Sequence, residues 1–69
     1  MAVEEEQIVQ WEGPKGTAEI IEIWDGGRLV GFEVRSGDNA VKCSNIGEAY
    51  IELGEQTGLE VQGQGRRYA

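Results

Sequence analysis

Cys43 is the one cysteine of this 69-residue chain and the side chain best suited by type to nucleophilic chemistry. A thiolate nucleophile needs a neighbouring base or positive group that lowers its pKa. The chain has no histidine, and Lys42 precedes Cys43 in a predicted strand, so its side chain points to the opposite face. We therefore interpret Cys43 as a buried structural residue that packs as a small apolar group.

Carboxylates are the other groups that could do chemistry. Glu48, Glu52 and Glu55 recur at helical spacing and would share one face of a helix, where they could bind a hard cation or a basic surface of a partner. A calcium-binding loop supplies closely spaced oxygen ligands around a glycine turn, and the chain has no such pattern. The spacing therefore favours a solvated acidic face.

Asp25 and Asp38 fall in two separate predicted turns, and aspartate is a residue that such turns prefer. No glycine segment has the G-x-x-x-x-G-K-[ST] form of a phosphate-binding loop. Without a histidine, an activated thiol or a metal motif, acid–base work by carboxylates or by Tyr50 has little support. The sequence therefore predicts neither an enzyme nor a site for a cofactor or a metal.

Size and charge limit the remaining functions. The formal net charge is −7, from 13 acidic and 6 basic side chains, which favours solubility and opposes binding to a phosphate backbone. A chain of this size forms one domain with a marginal core, and a single cysteine excludes an intramolecular disulfide. A protein partner or self-association is the common support that remains.

The expected cellular location rests on two features that the sequence lacks, a membrane-spanning stretch and a secretory signal. No stretch of the sequence is apolar for long enough to span a membrane. The first residues carry Glu4, Glu5 and Glu6, whereas a secretory signal begins with a basic and then an apolar region. We expect a cytoplasmic protein whose domain covers residues 1–69, with a frayed acidic leader over residues 1–6 and a basic tail over residues 63–69.

The spacing of apolar residues changes near Ser44, and this change indicates the fold class. Upstream, apolar residues alternate, and three turn segments separate four predicted strands: 7–11, 17–24, 28–35 and 40–43. Val30, Phe32 and Val34 are predicted to share one face of the third strand, opposite Leu29. Apolar residues on both faces of the second strand indicate a central strand covered twice or a bulge.

Downstream of Ser44, apolar residues recur at steps of three and four, which predicts a helix over about residues 45–57. Asn45 is the expected cap, with Ser44 as an alternative, and Gly58 the expected stop. Leu59 to Gln62 would return as a last strand, which gives an α+β fold of order β-β-β-β-α-β. Because Gly47 and Gly54 disfavour a helix, the alternative is an all-β, SH3-like small barrel with a strand over 48–54.

Three strands followed by a helix is a layout that resembles the AP2-type and integrase amino-terminal DNA-binding domains, which lay a sheet in the major groove. The resemblance is one of topology, since their sheets are rich in Arg and Lys and the third strand here carries Glu33 beside Arg35. It implies an alternative function, binding of nucleic acid by the sheet and the basic tail through Arg28, Arg35 and Lys42.

The two tryptophans are the remaining candidates. A core this small has difficulty in holding both Trp11 and Trp24, and an exposed tryptophan is a frequent interface anchor. Trp24, beside the Asp-Gly-Gly turn, is the stronger candidate. The sequence therefore favours a non-enzymatic protein–protein interaction module, and its candidate binding residues are Trp11, Trp24, Arg28, Arg35, Glu48, Glu52 and Glu55.

Overall fold

The computed structural model describes residues 2–59 and has an α+β fold: one open antiparallel sheet with a helix on one face. The strands are β1 (Val3–Gly13), β2 (Gly16–Asp25), β3 (Arg28–Ser36) and β4 (Asn39–Cys43), and they lie in the sheet in chain order. The helix α1 (Ile46–Thr57) follows β4. The predicted order of four strands and then a helix is confirmed.

Tight turns join the strands where the sequence predicts them. Gly26 and Gly27 connect β2 to β3 with φ of 62° and 83°. Two successive positive φ angles are typical of the hairpin turns whose twist matches that of the flanking strands. The predicted meander of three strands between Thr17 and Cys43 is therefore confirmed.

The amino-terminal end differs from the prediction. The frayed leader predicted over residues 1–6 is wrong for residues 3–6, because β1 begins at Val3 and pairs with β2 from Val3 opposite Asp25 onward. Backbone hydrogen bonds to β2 offset the repulsion among Glu4, Glu5 and Glu6, whose side chains alternate between the two faces of the sheet.

Two register shifts explain the apolar residues on both faces. One lies in β1 between Gln7 and Val9, and the other lies in β3 opposite Ile23 and Trp24. Because Leu29 pairs with Trp24, Val30 is the extra residue of the second shift. The predicted face of β3 is therefore correct for Phe32 and Val34 and wrong for Leu29, which shares the face of Trp24.

The helix begins and ends as predicted. Asn45 is the N-cap, and its side chain accepts a hydrogen bond of 2.9 Å from the amide of Glu48. The Glu48 carboxylate reaches back to the amide of Ser44 at 2.8 Å, one residue before the cap. Gly58 ends α1 with φ of 82°, a conformation that glycine adopts without strain.

The SH3-like alternative is not what the structure shows, because residues 48–54 are helical and the sheet is open. The predicted last strand begins at Leu59, which has no strand conformation, and its other residues lie outside the described part of the chain. The basic tail over residues 63–69 also lies outside it. Within residues 2–59, no helix has the length and apolar character that a membrane crossing requires.

The core lies between α1 and one face of the sheet. Its buried members are Ala18, Ile20, Val34, Ala49 and Leu53. Thr57 extends the predicted apolar stripe of α1, and its buried hydroxyl donates to the carbonyl of Leu53 at 2.8 Å. The opposite face of the sheet has no second layer within residues 2–59.

Candidate interaction surface

The helix α1 covers only part of the sheet face on which it packs. It starts just after Cys43, which lies opposite Phe32 on β3, and it ends where the carbonyl of Thr57 accepts a hydrogen bond of 2.9 Å from the amide of Lys15. Twelve helical residues span about 18 Å, whereas the molecule is 43 Å long. The end of the sheet at the β2–β3 turn therefore lies beyond α1.

Four apolar side chains lie at this uncovered end, which we call the sheet tip: Trp24 and Leu29 on the face that carries α1, Val3 on the opposite face, and Val30 at the register shift. Val3 and Val30 are 61% and 60% exposed, and Leu29 is 44% exposed. They lie at one end of the sheet because β1 begins, β2 ends and β3 begins there. Clustered apolar residues with this exposure are typical of a binding surface.

Trp24 is the anchor that the sequence singles out, and the structure places it in the sheet tip. Its side chain is half-buried, and its indole Nε1 donates a hydrogen bond of 3.0 Å to the Glu22 carboxylate. On β1 it lies opposite Glu4, and on β3 opposite Leu29. Glu22 therefore holds the polar end of the indole, and the rest of the ring is partly exposed. This arrangement suits Trp24 to contact with another protein.

The charges around the sheet tip are mostly negative. Glu4, Glu22 and Asp25 are acidic, and Arg28 at the β2–β3 turn is the basic residue among them. A partner that matches this surface carries an apolar centre with a positively charged rim.

Arg35, a predicted binding residue, lies on the other face of the sheet and is already engaged. Its guanidinium donates to both carboxylate oxygens of Glu5, at 3.0 and 2.8 Å, and to Glu33 at 2.8 Å. These contacts link β1 to β3 across β2, where Ile21 lies opposite Glu33 and is only 5% exposed. The cluster therefore lies on the same face as Ile21, where residues 2–59 form no second layer.

The ion pairs also change proton affinities. The hydrogen bonds from Arg35, assisted by its charge, hold the pKa of Glu5 below its usual value against a smaller opposing effect of burial. The same contacts raise the pKa of Arg35 above its usual value. Arg35 is therefore a structural cation whose charge two carboxylates already balance.

Arg35→Met is expected to raise the pKa of Glu5 toward its usual value. Because folding lowers the pKa of Glu5, the ion pair stabilises the fold at pH values above the unfolded-state pKa. This contribution is lost as the pH falls through the folded-state pKa. Denaturant unfolding is measured at a series of pH values. The free energy of unfolding of Arg35→Met should be lower than that of the wild type at neutral pH, and the difference should disappear in acid.

Arg28→Met provides the control, since it removes the same charge from an exposed turn. Its unfolding midpoint should stay close to that of the wild type at each pH. If the stability difference between Arg35→Met and the wild type did not depend on pH, the ion pair with Glu5 would contribute nothing to the free energy of unfolding.

The other predicted binding residues lie away from the sheet tip. The ring of Trp11 packs against that of Tyr50, with centroids 5.8 Å apart, at the border of the core. On α1, Glu48 caps the helix and Glu52 accepts a hydrogen bond of 2.7 Å from the Gln56 side chain. Glu55 is exposed on the same helix. Of the predicted set, Trp24 and Arg28 are therefore the two that lie at the sheet tip.

Cys43 is half-buried, and its environment disfavours the thiolate. Burial raises the pKa of the thiol, and the charges of Glu48 and Glu52 raise it further. A cavity of about 270 Å³ adjoins Cys43 where β3 continues past the end of β4. Among residues 2–59, no group of three or more His, Cys, Asp or Glu is placed to hold a metal ion.

The sequence interpretation missed Val3, Leu29 and Val30. Val3 lies beside a run of glutamates that resembles an unstructured leader, and Val30 fits the alternating pattern of a buried face. The signal that could have revealed the shift is the adjacent apolar pair Leu29 and Val30, since neighbouring apolar residues break the alternation of a strand with one buried face.

Comparisons of the chain with protein-family models, with curated proteins and with solved structures find no match. The function is therefore inferred from the surface of the molecule. On that surface, the sheet tip combines exposed apolar area, an oriented tryptophan and a charged rim.

Proposed function

We propose that this chain is a non-enzymatic interaction module that binds a partner protein through the sheet tip. The observation that carries the proposal is the exposure of Val3, Leu29 and Val30 at the end of the sheet that α1 leaves uncovered. Burial of these side chains against a partner would remove apolar surface from water, which is the main favourable term in protein association.

Trp24 supplies the centre of the proposed interface. Tryptophan residues that sit among apolar neighbours and become fully desolvated contribute a large share of binding energy at interfaces. The polar residues around it, Glu4, Asp25 and Arg28, would form the rim and set the choice of partner.

The proposed partner is a different protein rather than a second copy of this chain. Two copies that met tip to tip would bring Glu4, Glu22 and Asp25 close to the same residues of the other molecule, and like charges at an interface oppose association. A partner with lysine or arginine around an apolar patch would gain from the same charges. The full chain should therefore have the mass of a monomer in light scattering at low ionic strength.

Val30→Glu tests the proposal. The wild type and the variant are immobilised, and the proteins that each retains from a lysate of the source cells are compared by mass spectrometry. A protein that the wild type retains should be lost from Val30→Glu, with an affinity reduced about tenfold or more once that protein is purified.

Ile51→Glu is the matched control. Ile51 is 56% exposed, close to the exposure of Val30, and lies on α1 rather than at the sheet tip. This variant should retain the same protein as the wild type, and circular dichroism should show all three chains folded. Equal retention by Val30→Glu and the wild type, or equal losses in both variants, would contradict a binding role for the sheet tip.

A further inference from the structure

Among the strands formed by residues 2–59, β1 has the longest open edge. β1 has 11 residues and pairs only with β2 within residues 2–59. In an antiparallel sheet, alternate residues of an edge strand direct their N–H and C=O groups outward, where they can pair with another strand. Most β1 side chains are also exposed, so nothing in the described part of the chain covers this edge.

The side chains along this edge indicate which strand would fit it. All charged residues of β1 are glutamates: Glu4, Glu5, Glu6 and Glu12. Val3 and Ile8 add exposed apolar side chains between them. Since directly opposed side chains of paired strands interact most strongly, a matching strand carries lysine or arginine together with apolar residues.

A second copy of β1 does not meet this requirement. Antiparallel pairing of two β1 strands around Ile8 would place Glu4 of each copy opposite Glu12 of the other. Like charges directly opposite each other destabilise a strand pair. Since β1 carries no positive side chain, any other register also leaves its glutamates without a partner of opposite charge.

We propose that the outer edge of β1 binds an extended, lysine- or arginine-bearing segment of a partner protein as a fifth strand. Main-chain hydrogen bonds provide the affinity in this mode of recognition, and the alternating side chains provide the specificity. This edge is a second surface beyond the sheet tip. The two meet at Val3, and each is tested by substitutions that leave the other unchanged.

The probe is a synthetic peptide of alternating lysine and valine, as long as β1, with two matched peptides. In one, glutamate replaces lysine; in the other, alternate backbone nitrogens are methylated along one edge, which removes the donors of strand pairing. Amide exchange of the full chain is followed by NMR. We expect the lysine peptide to slow the exchange of the outward-facing β1 amides, and both matched peptides to leave it unchanged.

Glu6→Gln combined with Glu12→Gln tests the charge requirement, leaves Glu5 with Arg35 and changes no residue of the sheet tip. This double variant should bind the lysine peptide roughly tenfold more weakly, as expected for the loss of two exposed ion pairs. Asp38→Asn combined with Glu55→Gln removes the same number of charges from the β3–β4 turn and from α1. It should bind the peptide as the wild type does.

Three results would overturn the proposal. Slow exchange of the outward β1 amides before any peptide is added would show that this chain or a second copy already fills the edge. Equal binding of the methylated peptide would show a contact of charges without strand pairing. If the lysine peptide did not change the exchange of the β1 amides, the edge would not bind such a strand. The glutamates would then serve only to prevent edge-to-edge aggregation.

Discussion

Leu53→Ala is expected to lower the free energy of unfolding by about 2–5 kcal/mol, the usual cost of a cavity in a packed core. Leu53 is fully buried and lies at the centre of the contact between α1 and the sheet, with Ile20 and Val34 in the same cluster. Small domains are stable by only a few kcal/mol, so much of this variant should be unfolded. Urea titration followed by circular dichroism measures the loss.

Ile51→Ala is the control for that substitution. It shortens an apolar side chain on the same helix, but Ile51 faces solvent, and alanine is the better helix former. Its free energy of unfolding should stay within about 0.5 kcal/mol of the wild type. Similar losses in the two variants would contradict the orientation of α1 on the sheet.

Gly13→Ala is expected to have the second largest effect, because β1 and the end of α1 approach each other closely at this residue. A Cβ at Gly13 would clash with the carbonyl oxygen of Thr57 and would lie 2.8 Å from the side chain of Leu59. That carbonyl also accepts the hydrogen bond from Lys15, so the clash would displace a backbone contact that joins α1 to the β1–β2 turn. Overpacking of this kind costs about 1–3 kcal/mol.

Gly31→Ala separates this clash from the general effect of replacing glycine. The atom nearest to a Cβ at Gly31 is the carbonyl oxygen of Cys43 at 3.7 Å, an ordinary contact. Its stability in urea should match or slightly exceed that of the wild type, since alanine restricts the unfolded chain. If Gly13→Ala were as stable as Gly31→Ala, the close approach of Gly13 to Thr57 would be wrong.

The sequence was sufficient for those parts of the fold that local chemistry determines. Asn45 and Gly58 are residues whose side chain or backbone favours a helix end, and the Asp25-Gly26-Gly27 segment favours a tight hairpin. The apolar steps through Ala49 and Leu53 place one helix face on the sheet. These features depend on residues near one another in the chain, so the sequence pattern predicts them.

The sequence predictions failed where contacts between residues distant in the chain determine the structure. Glu4 to Glu6 lie in a strand because β2 pairs with them, and nothing in their own composition favours that state. The ion pair of Arg35 with Glu5 joins residues 30 positions apart, which no local pattern reveals.

The candidate site was predictable only in part. Trp24 stood out as a large residue beside a turn, and it does lie in the sheet tip. Val30 was assigned to the face of Phe32 and Val34 by strict alternation, whereas it is the extra residue at a register shift. As candidate binding residues, the helix glutamates were chosen for their shared face and Trp11 for its size; in the structure, Glu48 accepts a hydrogen bond at the helix start and Trp11 packs against Tyr50.

The most direct test of the sheet tip as a binding surface is amide hydrogen exchange of the full chain with and without the protein that it retains. We expect the retained protein to slow exchange at the β2–β3 turn and the adjoining strand ends, from Trp24 to Val30, while the exposed side of α1 is unaffected. Slowed exchange confined to α1, with the segment from Trp24 to Val30 unchanged, would contradict this account.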